Sequence, residues 1–485
     1  MDKNLAGLKP ALVWKHFAEI CNIPHPSGSE DKIRQYLVDF AAQKGIEHKV
    51  DEAGNVYMSK PATPGYEDRK GIVIQAHMDM VPQKNNDKEF DFINDPIEAY
   101  IDGEWVTANG TTLGADNGIG VAAILAVMED DSIEHGPIEG LITATEETGM
   151  DGAFGLKGGL LKGDILLNLD SETEGELYVG CAGGMDANVT LPYEAVAAPE
   201  GKALTLSVKG CKGGHSGIQI ICQRANANKL LFRLLRLIAK ECDMALCSVD
   251  GGGLRNAIPR EATATIIVSA DAEAKVMAMV EAFEKMVIAE FTDIEDSISI
   301  KAEATAAPAE VMPKCAAERL MAAVVACPDG VAKMSVAMEG LVQTSNNLAR
   351  VVSDGKQVKM QSLMRSSSRS EKEALGDSIK AVFELAGAEV ELSGSYDGWN
   401  PNMKSPILKA MLESYEALYG KSPAVMAIHA GLECGIIGTN YPEMDMISFG
   451  PTICYPHSPD EKVEIASVEK FYDFLLHTLK NAPKK

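Results

Sequence analysis

The chain is expected to adopt an α/β fold with a mostly parallel sheet, interrupted by an inserted α+β domain. Three observations lead to this. Up to residue 186, near-continuous apolar runs alternate with helical patterns, as buried parallel strands do when helices cover both faces. From 187 to 394 the strands instead alternate apolar and polar residues between amphipathic helices, the pattern of a half-exposed sheet. From 395 to 485 the first pattern returns. A chain of 485 residues also exceeds one ordinary core, so more than one domain is required. The expected division is 1–186, 187–394 and 395–485, with the first and last stretches forming one domain.

The elements follow in order. Leu12, Val13, Phe17 and Ile20 have helical spacing, and "EDKIRQYLVDFAAQKG" is a second helix closed by Gly45. "GIVIQAH" is a strand, "NGIGVAAILAVMED" an Ala-rich helix, and "IEGLITATEE" and "DILLNLDSE" are further strands. In the middle region "KALTLSVKG" and "EATATIIVSA" read as strands, and "NANKLLFRLLRLIAKEC" and "AEAKVMAMVEAFEKMVIAEF" as helices. "TAAPAEVMPKCAA" reads as a joint. A similar order follows it: helix "AAERLMAAVVAC", a strand pair around "SDGKQ", helix "EKEALGDSIKAVFELAG" and strand "AEVELSG". Two ferredoxin-like halves fit this order. Beyond "SYDGWNPN" come helix "SPILKAMLESYEALYG", a strand and turn in "PAVMAIHAGLECG", strand "MDMISFGPT" and a final helix.

Composition excludes several classes. The net charge of −25 has no basic stripe to balance it, which argues against nucleic acid as a partner. The ten cysteines include no C-x-x-C pair, so reduced, mostly buried thiols are expected. No apolar run reaches the roughly 18 residues of a membrane span, and the N-terminus shows no leader pattern. A cytoplasmic protein without a membrane partner is the expectation.

The chemistry gathers at strand ends. "GIVIQAHMDMV" ends its apolar run in His77 and Asp79, two residues apart and so on one face of an extended chain. Glu146 and Glu147, then Asp170, end two more strands, and His457 follows "MISFGPT". Asp116, in "GTTLGADNGIG", stands where a loop enters a helix. Ligands in open α/β sheets lie beyond the carboxyl ends of the strands. Each residue alone has an ordinary explanation. Asp116 could cap its helix, and the glutamates could be a solvated strand end. Together, so many carboxylates would repel one another unless cations relieved them. Imidazole and carboxylate ligands suit Zn²⁺, Mn²⁺ or Co²⁺, and one shared carboxylate would give a two-metal site. "GADNGIG" lacks the Gly-Lys-Ser/Thr of a phosphate loop.

The strings "HMDMVPQKNND", "NGTTLGADNGIG", "TEETGMDGAFGL", "NLDSETEGELYVGCAGG", "KGGHSG", "RNAIPRE", "HAGLECG" and "YPEMDMISFGPTICYPHSPDE" resemble those of the bacterial aminoacyl-histidine (Xaa-His) dipeptidases. These are carnosine-cleaving zinc exopeptidases of the aminoacylase/carboxypeptidase-G group. The resemblance runs in order along nearly the whole chain. It implies a zinc-exopeptidase-like catalytic domain with an inserted lid domain, and two Zn²⁺ per chain, with Mn²⁺ or Co²⁺ as substitutes. His77, Asp116, Glu147, Asp170 and His457 would be the ligands, Asp116 bridging the two ions and followed by a cis peptide before Asn117. Asp79 would hold the His77 ring in its tautomer. Glu146 would be the general base for a water between the metals. His215, on the lid, would stabilise the oxyanion, and Asn256 and Arg365 would read the substrate's terminal carboxylate. Arg369 competes with Arg365 for that role. The segment "IQIICQRANANK" departs from the family by being more apolar. The implied substrates are small dipeptides, with a homodimer left open. An N-acyl amino acid deacylase on the same site is the rival enzyme, and a non-catalytic scaffold is disfavoured by the complete ligand set.

Overall fold

The computed structural model describes residues 4–485. The chain divides into two compact units. The first ends at Gly180 and resumes over Pro401–Ala427 and Leu432–Lys485; the second is Cys181–Asn400 plus the short excursion Ile428–Gly431. The expected borders, after 186 and after 394, fall six residues from these at each end.

The first unit is organised by an eight-stranded sheet. At its centre Ile138–Thr143, Ile72–His77, Ile165–Asn168 and Asp445–Ser448 lie side by side and parallel. All but the outermost of these strands are buried at every residue, which is why their sequences are apolar runs rather than alternations. Val56–Lys60 and Glu47–Val50 extend the sheet antiparallel on one side. The helix Ala115–Glu129 is buried from Ala115 through Met128. Its small residues permit this: a side chain on Gly118 would meet Phe17, and one on Gly120 would meet Asn117. A separate four-stranded sheet holds Ala99–Asp102, Trp105–Ala108, Ile453–Cys454 and Lys462–Glu464.

The second unit is a nine-stranded antiparallel sheet backed by four helices. One half runs strand Lys202–Lys209, helix Ala227–Glu241, strands Met244–Gly252 and Ala262–Val268, helix Glu273–Glu290 and strand Ser299–Ala304. Numbered within the half, its strands lie in the order 4-1-3-2, the ferredoxin-like arrangement. The other half has the same order, with Gly183–Pro192 as its first strand. The first half is therefore inserted after the opening strand of the second, and Met244–Gly252 joins the two by pairing with Val342–Ser353. Helix Ala227–Glu241 shows how sequence sets the packing. Asn226 caps it by accepting the N–H groups of Asn228 and Lys229. Leu230, Leu231, Leu234, Leu235 and Ile238, at helical spacing, are all buried in the core of this unit.

None of the ten cysteines forms a disulfide among the described residues. Among the described residues, no helix is long and apolar enough to cross a membrane.

Candidate metal centre

His77 is the last residue of its strand and is 1% exposed. Its Nδ1–H donates to the backbone carbonyl of Asp79 at 2.9 Å. That leaves the Nε2 lone pair facing outward. Nε2 lies 3.2 Å from Asp116 Oδ1 and 3.2 Å from Asp170 Oδ1. His457 makes a second group: its Nε2 lies 2.9 Å from Glu147 Oε2 and 3.3 Å from Asp116 Oδ2. Asp116 thus gives one oxygen to each histidine. His77/Asp116/Asp170 and Asp116/Glu147/His457 are each close enough to hold one cation. His77, Glu146 and Glu147 form a third, overlapping group.

Several features let these residues meet. Asp116 and Asn117 have non-helical backbone angles, although the helix is counted from Ala115. The bond between them is cis. The cap position is held by Gly114. Among the described residues, the partners of the Asp116 carboxylate are His77 and His457 rather than backbone N–H groups of its helix, so capping does not explain Asp116. Asn117 Nδ2 donates to the Leu169 carbonyl at 2.9 Å and to Asp170 Oδ1, tying the two acidic loops together. His457 sits at φ 60°, in the left-handed region, and is itself exposed, on a loop whose neighbouring residues are mostly half-buried.

Asp79 differs from the expectation in one respect. Its carboxylate is 3.5 Å from His77 Nδ1, so the ring is held by its carbonyl instead. The carboxylate accepts the N–H groups of Glu146 (2.9 Å) and Glu147 (3.3 Å) and the Ser27 hydroxyl (2.7 Å). Asp79 therefore fixes both the histidine and the two-glutamate turn. Burial raises the Asp79 carboxyl, but His77 and these donors outweigh it and bring it to about 2.

The donor set fits cations. Ligands about 2.0–2.2 Å from a tetrahedral ion lie roughly 3.3 Å apart, close to the four separations above. Glu147 Oε1 is buried with no hydrogen-bond partner, an expensive state unless something binds it. The carboxylates also draw positive charge. Hydrogen bonds to Asp116 and Glu147 push His457 up to about 11. At His77, burial is outweighed by Asp170, Asp116 and Asp79, and the pKa lies well above the usual imidazole value. Glu146 is shifted upward, by burial first and then by Asp170, Glu433 and Glu147.

Three surrounding residues gave no signal in the sequence. Ser27 braces Asp79. Glu433, fully buried, accepts from Gln75 at 2.6 Å and Thr143 at 2.8 Å. Gln75 in turn accepts from Asn168, so a polar chain runs beneath the strand ends. Glu461, 2% exposed, accepts four backbone N–H groups from residues 113–116.

His215 and Arg365 belong to a cluster within the second unit. His215 Nδ1 accepts the N–H groups of Gly217 (3.2 Å) and Ile218 (3.1 Å). Its proton is therefore on Nε2, and burial and then the Arg365 charge lower its pKa. Arg365 is 6% exposed, and its Nε has no hydrogen-bond partner. His429, which the sequence did not single out, bonds Ser345 Oγ through Nε2 at 2.7 Å and is pushed down to about 3 by burial and Arg365. A side chain on Gly217 would meet His429 O at 2.3 Å, His215 Cε1 at 2.9 Å and Arg365 Nε at 3.1 Å, so only glycine lets the three converge. Asn256 gives its carbonyl to Ser216 N–H at 2.8 Å, and its side chain is exposed. Arg369 is at the surface, paired with Glu373 at 3.0 Å. The apolar departure "IQIICQRANANK" forms the short turn Ile220–Cys222 and the cap at Asn226.

Residues 73–481 match the profile of peptidase family M20/M25/M40. The chain belongs to this family. It is 46% identical to the cytosol non-specific dipeptidase of Escherichia coli (strain K12) over 482 residues, 99% of each chain. The crystal structure of aminoacylhistidine dipeptidase from Vibrio alginolyticus superposes with a TM-score of 0.94 at 49% identity, covering 99% of both chains. A Staphylococcus aureus tripeptidase, at 17% identity and a TM-score of 0.57 over 98% of both chains, shares the fold alone. The fold is thus the mixed α/β fold of the M20 peptidases, as the motifs implied.

Proposed function

We propose that the protein is a two-cation dipeptidase, cytoplasmic, acting on small dipeptides that include Xaa-His substrates such as carnosine. The observation that carries this is the division of the Asp116 carboxylate between two three-residue donor groups. His77, Asp116 and Asp170 would hold one ion, and Asp116, Glu147 and His457 the other. Zn²⁺ suits these nitrogen and oxygen donors, and Mn²⁺ or Co²⁺ can substitute. When bound, such cations polarise a peptide carbonyl and lower the pKa of water to about 7. Glu146 is the general base: it takes the proton of the attacking water and delivers it to the leaving amine. His215, neutral with its proton on Nε2, donates to the developing oxyanion. Arg365 reads the terminal carboxylate, for which a guanidinium fork is matched, and Asn256 assists it. The acidic surface argues against nucleic acid and anionic membranes as partners.

A free dipeptide should be cleaved far faster than its C-terminal amide. A charged hydrogen-bonded pair contributes about 1.5–3 kcal/mol, or roughly 10- to 150-fold. Arg365→Ala should slow the acid and leave the amide nearly unchanged, which closes the gap. His215→Ala should lower kcat by about 10²–10³-fold and move KM little, since an oxyanion donor acts in the transition state. The assay compares Ala-His with its amide in wild type and both variants, with an N-acyl amino acid as a third substrate. Equal turnover of acid and amide by wild type would remove the carboxylate-reading role. Faster turnover of the acylated amino acid would make the enzyme a deacylase.

A further inference from the structure

We infer that Glu461 is a positioning residue for the metal pair: it gathers the backbone of residues 113–116 so that Asp116 can divide its oxygens between the two cation sites. The inference rests on the two-cation reading above. Glu461 lies four residues after His457 and is 2% exposed. Its Oε2 accepts the N–H groups of Leu113 at 2.8 Å and Gly114 at 3.0 Å. Its Oε1 accepts those of Ala115 at 2.8 Å and Asp116 at 3.2 Å. Among the described residues Glu461 has no lysine or arginine partner, so these N–H groups alone compensate its carboxylate. A buried charge persists only when it is satisfied in this way.

Four successive N–H groups can face one carboxylate only if the backbone curls into a nest. Gly114, at φ 72°, supplies the left-handed step, and Asp116 then takes φ −83° and ψ 105°, outside the helical region. That angle turns the Asp116 side chain away from the cap position and toward His77 and His457. Among the described residues, the partners of the Asp116 carboxylate are the two histidines and no others. Its placement therefore depends on its backbone, and its backbone on Glu461. Glu461 is itself anchored. Its carbonyl accepts the Thr107 hydroxyl at 2.8 Å, and the strand that begins at Lys462 pairs with Trp105–Thr107. One loop thus supplies a cation ligand, His457, and the anchor of the shared ligand.

The test uses the full chain, stripped by a chelator and titrated with Co²⁺. The readouts are stoichiometry, affinity, the visible absorption of bound Co²⁺ and the magnetic coupling between the two ions. Glu461→Gln keeps the volume but turns an NH₂ group toward N–H donors. Wild type should bind about two ions with coupled spectra. Glu461→Gln should bind at least one ion about 10- to 100-fold more weakly, the effect typical of groups that support metal ligands. It should also lose the coupling, with the far-ultraviolet circular dichroism unchanged. Glu461→Asp keeps the charge but is too short to span all four donors, so its affinity should fall between the two. If the Gln variant does not fold, the Asp variant is judged by the same readouts. Wild-type affinity and coupling in a folded variant would overturn the inference and leave the two-cation reading standing. A wild type that binds fewer than two ions would overturn that reading and the inference with it.

Discussion

Removal of divalent cations should abolish peptide hydrolysis, and Zn²⁺, Mn²⁺ or Co²⁺ should restore it at about two ions per chain. The acidic groups make this the largest effect expected. Asp116, Glu147 and Asp170 crowd two imidazoles, with Glu146 beside them, and among the described residues their ion pairs are with those histidines. Without cations the imidazoles must carry protons to balance the charge, and a protonated imidazole cannot ligate. The same binding should stabilise the fold. A ligand that binds only the native state at 100 times its Kd contributes about 2.7 kcal/mol, so Tm should rise as metal is added. Elemental analysis, activity and thermal unfolding on one chelated and reconstituted sample test this together. Full activity in a rigorously metal-free sample would end the metal-dependent reading.

Much of the fold was legible because burial leaves a strong mark on sequence. The parallel strands appeared as apolar runs such as Gly71–Ile74, and the helix after Asn117 as an unbroken Ala-rich stretch. The ferredoxin-like halves were legible as a repeated order of elements. What was hidden is that the second half takes its first strand, Gly183–Pro192, from before the first half. Nothing local marks that strand as belonging to a partner more than a hundred residues away, and the expected border at 186 cut through it. Most candidate ligands were legible because they stand at a strand end or helix entry; His457, on a loop, was legible through the family resemblance. Most supporting groups were not. Asp79 was expected to hold the His77 ring and lies against it, but because the strand stops at His77 the ring is held by the Asp79 backbone carbonyl, with the carboxylate 3.5 Å away. Glu461 sits in "HSPDE", where one acid among several has no periodicity to distinguish it. His429 joins the second unit through an excursion of only four residues, shorter than any pattern can register.

Glu146→Gln should lower kcat by about 10²–10⁴-fold, the usual worth of a general base, while metal content stays near wild type. The substitution is nearly isosteric, and the Glu146 N–H that Asp79 accepts at 2.9 Å belongs to the backbone, so the turn should survive. The prediction distinguishes two adjacent glutamates that sequence alone cannot order. Glu147 Oε2 stands 2.9 Å from His457 Nε2, and Glu147 shares a donor group with Asp116. Glu146 reaches only the overlapping group with His77 and Glu147. If Glu147 is the ligand, Glu147→Gln should weaken cation binding as well as activity. Glu146→Gln should lose turnover alone, because an amide oxygen cannot take up and return a proton at neutral pH. KM for the dipeptide should change little, since the proton transfer belongs to the transition state. Measuring metal by elemental analysis and turnover on the same preparations of both variants separates the roles. Loss of metal in Glu146→Gln, with retention in Glu147→Gln, would exchange the two assignments.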